Sequence, residues 1–253
     1  MSESRKFGWQ RQTPDFRDYQ FKGSSWWRRM CVRWGWPSSV DLTDKMPPVF
    51  DQGQLGSCTA QAITAAVIAE SGDKTLLSRL FLYFNERLAL GALYTKFDTG
   101  AVIRDGLKSV VNDGSIPEIA WPYDISTFAD PPAPVLYEAA KKDLVTQYAT
   151  VPQNLVNLRC ALLEGYPVVF GISVYSSFLA ATDGNIPMPA ADEKLLGGHA
   201  ILLVGFDNAT RRFKFRNSWG PTWGDGGYGW LTYDYVENPD LSADFWVVEK
   251  TTV

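Results

Sequence analysis

The chain contains one histidine, His199, in the stretch Gly-Gly-His-Ala-Ile-Leu-Leu-Val-Gly-Phe, and any fold it adopts has to answer to that residue. Imidazole is the one side chain whose unperturbed pKa lies near neutrality. Proton-shuttling chemistry of the usual kind therefore runs through His199 or does without histidine. The search for its partners is short.

Upstream, Asp51-Gln52-Gly53-Gln54-Leu55-Gly56-Ser57-Cys58-Thr59-Ala60 leads into a stretch with Ile63, Ala66 and Val67 on one helical face. This spacing puts Cys58 at a helix N-terminus. Unpaired N–H groups and the positive end of the helix dipole favour an anion there, which stabilises a thiolate nucleophile. Gly53 and Gly56 allow backbone to approach backbone or ligand closely. Downstream, residues 212–217 alternate as a strand and run into Asn217-Ser218-Trp219-Gly220-Pro221-Thr222-Trp223-Gly224. Asn217 then stands at a strand end beside a Trp-Gly corner.

Taken singly, each residue has a plainer reading. A cysteine opening an apolar helix is usually a small buried hydrophobe. A histidine before a strand is commonly structural, and Asn217 and Gln52 read as turn and surface residues. Their joint occurrence overturns these readings. Cys31 and Cys160 lack such a setting; Cys160 lies on a helix-like stretch with Leu155, Leu158 and Leu162 and is expected in the core.

With Gln52 six residues before Gly-Ser-Cys, Gly-Gly-His before an apolar strand, and Asn-Ser-Trp-Gly-x-x-Trp-Gly-x-x-Gly-Tyr-Gly from Asn217, the chain resembles the papain-like cysteine peptidases. Cys58 and His199 are 141 residues apart, inside the roughly 130–150 window of such enzymes, and Asn217 lies 159 after Cys58, a little beyond it. The resemblance implies a Cys58–His199 thiolate–imidazolium pair, with His199 later protonating the leaving amine. It implies that Asn217 orients the imidazole and that Gln52, with the Cys58 backbone N–H, forms an oxyanion hole worth about 10²–10³ in rate per donor. Trp219 would cover the Asn217–His199 hydrogen bond.

For substrate binding the resemblance points to Gly100, Ala101, Ile103, Gly171, Gly198 and Trp219, with Gly197 beside them. Many relatives have Gly-Gly where Gly100-Ala101 stands here; Ala101 keeps the N–H and C=O needed to pair antiparallel with an extended peptide. Small residues suggest a roomy, apolar pocket for the second residue upstream of the scissile bond.

Two departures are visible: Leu55 stands where secreted relatives carry a disulfide cysteine, and Thr59, not tryptophan, follows the nucleophile. With the segments at 14–19 and 103–107, they place the resemblance with the bacterial and archaeal branch. The expected activity is hydrolysis of peptide bonds through an acyl-enzyme thioester. The alternatives are a transpeptidase or peptide ligase using the same residues, and a non-catalytic peptide-binding homologue.

A chain of 253 residues with 45% apolar content can bury one sizeable core or two small ones. A net charge of −4 argues against nucleic acid as a partner; the expected partner is a polypeptide in extended conformation. Oligomeric state is not readable. One histidine and three scattered cysteines make no zinc site, and neither metal nor cofactor is expected. Three cysteines build no disulfide framework, which suits a reducing compartment without requiring one. No stretch approaches the roughly 18 apolar residues of a membrane span. The opening Met-Ser-Glu-Ser-Arg-Lys-Phe-Gly-Trp lacks a signal-peptide core, so a cytoplasmic location is expected, with secretion by another route as the alternative.

Three regions are expected: 1–40, 41–140 and 141–253. The first carries eight basic and three acidic residues, against 16 and 25 in the remainder, and these opposite signs suggest intramolecular docking. It holds Trp26, Trp27, Trp34 and Trp36 among arginines, and reads as a wrap on the body, a pro-segment plugging the cleft, or an interfacial anchor. Residues 41–140 read as helical, with helices from Cys58, from Ser78 and over 103–113. After Pro152 come a helix to about Glu164 and strands at 167–174, 200–206, 212–217, 228–233 and 245–248. A helical half followed by a β-rich half makes an α+β protein. The resemblance implies a papain-like fold, with a helical left domain carrying Cys58 and a β-barrel-like right domain carrying His199 and Asn217. The cleft would lie between them. The loop at 180–196 is expected to be a solvated loop and not a lid.

Overall fold

The computed structural model describes residues 5–142 and 145–251. Its centre is the helix α2 (Cys58–Ser71), in which every residue from Cys58 to Ala69 is buried. A helix apolar all round has no face to give to water and must sit inside. It stops at Gly72, whose φ of 72° supplies the left-handed cap, with its N–H bonded to the Ile68 carbonyl at 3.2 Å. Two amphipathic helices lie against it, α3 (Arg79–Leu88) and α4 (Ile103–Asn112). The Ser78 hydroxyl caps α3 by accepting the Phe81 N–H. Helix α5 (Pro134–Ala140) begins with proline at its first turn.

The remainder is built on one antiparallel sheet in the order β2 (Val145–Thr150), β7 (Ser242–Thr251), β3 (Val168–Tyr175), β4 (Leu195–Asp207), β5 (Arg212–Arg216), β6 (Tyr228–Thr232). Strand β1 (Ser39–Asp41) pairs with β4 off this path. The end strands β2 and β6 do not pair with each other among the described residues, so the barrel-like half is an open sheet. Helix α2 lies against β4 and β7. Helix α6 (Leu155–Leu163) covers the same sheet and buries Cys160. The short helices α7 (Ser176–Ala180) and α8 (Tyr233–Glu237) follow β3 and β6.

Three features depart from the expected elements. Strand β4 begins at Leu195, so His199 lies within it; Gly197 and Gly198 are weak strand formers, but β3 offers partners, with Ile172 opposite His199 and Ser173 opposite Gly198. Strand β2 was not expected, because its alternation is mixed and only pairing with β7 defines it. Residues 25–34 form a helix, α1 (Ser25–Trp34), that buries Cys31. Of the four tryptophans there, Trp27 and Trp36 are half-buried, whereas the side chains of Trp26 and Trp34 lie outside the described residues. Residues 181–194 form a loop tied down by Glu193, which accepts hydrogen bonds from Ser176, Ser177 and Ala190.

Candidate active site

Cys58 is the first residue of α2, His199 is central in β4, and Asn217 follows β5 by one residue. All three are buried, as is Gln52. The helix and sheet halves join between them: Gln52 N–H bonds the Ser218 carbonyl at 2.9 Å, and Asp51 forms a bridge with Trp219. On the Cys58 side, the backbone N–H of Ala200, next after His199, reaches the thiol. The fold thus brings together residues separated by up to 159 positions.

His199 Nε2 lies 2.8 Å from Asn217 Oδ1. That oxygen also accepts the Ser218 N–H at 2.8 Å, so it acts as an acceptor and the proton of the pair resides on Nε2. Nδ1 is then left with a lone pair; it is buried and has no hydrogen-bond partner. An unprotonated nitrogen held this way can take a proton. The indole of Trp219 stacks on the imidazole at 5.0 Å between ring centres, with Phe178 edge-on to both. These rings keep water from the Asn217–His199 bond.

Gln52 is locked from both ends. Its Oε1 accepts the Ser218 hydroxyl at 2.7 Å, which turns Nε2 toward the Leu55 carbonyl at 2.9 Å and the Lys6 carbonyl at 3.2 Å. The amide is an N–H donor aimed at a peptide carbonyl beside Cys58.

In this closed arrangement burial works against charge on both residues of the expected pair. Complete burial pushes the Cys58 thiol up to about 11, outweighing the backbone N–H groups of Ala200, Gly8 and Thr59. Burial also pulls His199 down to about 4, against the support of Asn217. Both shifts oppose the charged forms, and residues 7–9 lie over the site.

Residues 36–243 match the papain family of cysteine proteases. This chain belongs to that family. It is similar to xylellain, a cysteine protease from Xylella fastidiosa, at 37% identity and a TM-score of 0.88, with 99% of both chains covered. It is also similar to an uncharacterised peptidase C1-like protein of Acanthamoeba polyphaga mimivirus, 38% identical over 219 residues, which are 80% of this chain and 70% of the relative. At 17% identity, procathepsin B from Trypanosoma congolense shares the fold, with a TM-score of 0.75 over 94% of this chain and 85% of that one. The chain spans 42% of another relative, gamete and mating-type specific protein A of Dictyostelium discoideum. The family makes it a cysteine peptidase and a hydrolase.

In this papain-family protein the groove beside Cys58 is filled by the chain's own N-terminal residues. Trp9 N–H bonds the Gly198 carbonyl at 3.0 Å, Gln10 N–H the Ala101 carbonyl at 2.9 Å, and Ala101 N–H the Gly8 carbonyl at 2.7 Å. The Trp9–Ala101 bridge is parallel. Of the expected substrate-binding residues, Gly100, Ala101, Gly171 and Gly198 all meet this segment. A Cβ would lie 2.1 Å from the Gly8 carbonyl oxygen at Gly100, 1.9 Å from the Trp9 ring at Gly171, and 2.4 Å from the Trp9 carbonyl oxygen at Gly198. Gly197 meets Phe7, which also lies edge-on to His199. Ile103 is fully buried at the start of α4. Trp219 lies under Arg5, whose guanidinium sits 5.8 Å from the ring centre.

Charge pairing follows the expected sign only in part. Arg5 pairs with Asp51 and Lys6 with Asp98, but Asp18 pairs with Arg104 of the body at 2.6 Å, both nearly buried. Two site features had gone unread. Glu86 of α3 is fully buried; its Oε2 accepts the Thr59 hydroxyl at 2.7 Å, while Oε1 has no partner. An acid on the apolar face of α3, three residues from Tyr83, was the available signal. Asp244 meets Trp9 through a backbone conformation that no pattern announces.

Proposed function

We propose that this peptidase cleaves peptide bonds through Cys58, His199, Asn217 and Gln52, and that residues 5–12 hold it latent. The observation that carries the reading is the unpartnered Nδ1 of His199, fixed by the Nε2–Asn217 bond and sealed into one buried site with Cys58. With the cover displaced, water and the helix N-terminus favour charge separation, and the Cys58 proton passes to Nδ1. Sγ attacks the substrate carbonyl carbon, forming a C–S bond, and the oxyanion takes hydrogen bonds from Gln52 Nε2 and the Cys58 N–H. The imidazolium gives its proton to the amide nitrogen as the C–N bond breaks. Water, deprotonated by His199, then attacks the thioester; the C–S bond breaks and the acid leaves.

Gln52 Nε2 already donates to a peptide carbonyl, that of Lys6, which supports its assignment. The covering segment runs parallel to Ala101, whereas an extended substrate is expected to pair antiparallel. The segment therefore fills the groove with its chain direction reversed, which explains how it sits beside a nucleophile without being a substrate.

The test is intact-mass analysis and peptide mapping after brief exposure to an epoxysuccinyl thiol-protease inhibitor. Labelling confined to Cys58 and lost in His199→Ala supports the reading. Labelling of Cys31 or Cys160 at the same rate removes it.

A further inference from the structure

The serine that opens the nucleophile helix does not cap it. A serine just before a helix commonly accepts an N–H from the first turn, yet Ser57, in that place before α2, makes no side-chain cap bond. Its hydroxyl lies 2.6 Å from the phenol oxygen of Tyr123, and that oxygen lies 3.0 Å from the Gln52 carbonyl. Tyr123 thus ties the two ends of the loop that leads into α2. One end is Gln52, whose amide is one proposed oxyanion donor; the other immediately precedes Cys58, whose N–H is the second.

The direction of each bond in this network follows from its fixed ends. The Gln52 carbonyl can only accept, so the single Tyr123 hydroxyl proton goes there. The Ser57 hydroxyl then donates to the Tyr123 oxygen, and Ser57 Oγ accepts Gln61 Nε2 at 3.1 Å. Gln61 Oε1 in turn accepts Arg79 Nη1, which can only donate, at 3.2 Å. One chain of donors therefore runs from the Arg79 guanidinium to the Gln52 carbonyl, each bond polarised by the one before it. Burial pushes the Tyr123 phenol up to about 12, so its proton stays in place across neutral pH.

Tyr123 is held from two further sides. Its backbone N–H bonds Glu118 Oε1 at 3.0 Å, the oxygen that Arg79 pairs with at 2.6 Å, and the guanidinium lies over its ring at 4.4 Å. These partners all belong to the body of the protein. The network does not depend on the covering segment.

We propose that Tyr123 is a positioning residue for the peptidase reaction: its hydroxyl, tying the Gln52 carbonyl to Ser57, fixes the Gln52 amide and the Cys58 N–H at a spacing that lets both meet one oxyanion. The two donors stand six residues apart on a loop that contains Gly53, at a φ of 59°, and Gly56. Glycines make such a loop easy to bend unless something crosses it. The Ser218 hydroxyl sets the rotation of the Gln52 amide, whereas Tyr123 sets where the Gln52 backbone stands relative to α2. Both donors are needed only once negative charge develops on the carbonyl oxygen. Loss of the tie therefore slows the chemical step more than it weakens substrate binding.

The inference rests on the function proposed above. Its test uses the full chain opened by Gly8→Ala as the parent. Tyr123→Phe removes one oxygen and keeps the ring beneath Arg79; Ser57→Ala removes the other end of the tie. Hydrolysis of a fluorogenic peptide gives kcat and KM. Alkylation of Cys58 by iodoacetamide reads the thiol in a displacement that develops no carbonyl oxyanion. Tyr123→Phe should lower kcat about ten- to hundredfold, short of the loss of a whole oxyanion donor, with KM within about threefold and alkylation within about twofold of the parent. Ser57→Ala should do the same, and the double variant should be no slower than the slower single one, as two ends of one tie require.

An unchanged kcat in Tyr123→Phe, a rise in KM with kcat held, an equal loss of alkylation, or additive losses in the double variant overturns the proposal. Circular dichroism checks the fold, and Ser57→Ala carries the same comparison should Tyr123→Phe fail to fold. A parent that hydrolyses no peptide while Cys58 is alkylated removes the peptidase reading and this inference with it. A parent that does hydrolyse, with variants matching it, removes the inference alone.

Discussion

Gly8 lies so close to Gly56 that a Cβ on Gly8 would fall 1.7 Å from the Gly56 carbonyl oxygen. Two stretches of backbone, one from the N-terminal segment and one from the loop before the Cys58 helix, therefore touch because Gly8 lacks a side chain; a Cβ on Gly56 would lie 3.4 Å from Gly8 Cα. This contact, beside Phe7 on His199 and Trp9 on Gly171, seats the cover.

Gly8→Ala should unseat it. Contact at 1.7 Å cannot be relieved by a rotamer change, since both partners are backbone. The segment has to lift, while the core beneath keeps its own packing. Cys58 alkylation should accelerate at least tenfold with little change in melting temperature. An unaltered rate would show that the segment does not limit access.

Removal of the nucleophile should abolish turnover without loss of fold. In a Gly8→Ala background, Cys58→Ala should reduce peptide hydrolysis by more than about 10³-fold, and Gln52→Ala by about 10²-fold for one oxyanion donor. Hydrolysis of a fluorogenic peptide, with circular dichroism to monitor folding, reads both. Activity retained in Cys58→Ala would remove the assignment.

The pH dependence of thiol reactivity should change with the cover. In the closed protein the thiol stays protonated until pH approaches about 11, and His199 stays neutral down to about 4. Iodoacetamide should then react slowly across neutral pH and faster only toward the alkaline end. In Gly8→Ala the thiolate–imidazolium pair should bring reactivity into the neutral range, and adding His199→Ala should remove that limb. Superimposable profiles for closed and opened proteins would contradict the burial argument.

Glu86 should make the fold lose stability as pH rises. Burial raises its pKa from 4.5 to about 8. Between those values the folded protein holds a proton that the unfolded chain has released, so stability is full below the unfolded value and declines until the folded value is reached. Glu86→Gln, which stays neutral, should flatten the fall in melting temperature between pH 5 and 8, where about 2–4 °C corresponds to each kcal/mol at this chain length. A thermal shift series on both proteins decides it; parallel slopes would show that Glu86 does not titrate in this window.

Much of the site was legible along the chain because it depends on local rules. Apolar spacing after Cys58 specifies a helix that starts at the nucleophile, and α2 starts there. The Asn217 corner follows from alternation over 212–216 and the Trp-Gly turn after it. Gln52, Cys58, His199 and Asn217 stood out through order and spacing; all four are buried, with His199 bonded to Asn217 and Gln52 to Ser218. Strand β2 and the early start of β4 were less legible, since neighbours in space confer their strand character.

By itself, then, the sequence determined the order of Gln52, Cys58, His199 and Asn217, the elements that hold them and the family the chain belongs to, because periodicity, capping and motif order act within a few residues of each position. Tertiary structure alone decided that Trp9 pairs in parallel with Ala101, that Asp244 accepts the Trp9 indole N–H, and that burial opposes charge on Cys58 and His199. Each of these depends on distant backbone approaching to contact distance and excluding water. Solvation and steric fit belong to the assembled fold and have no counterpart in local sequence.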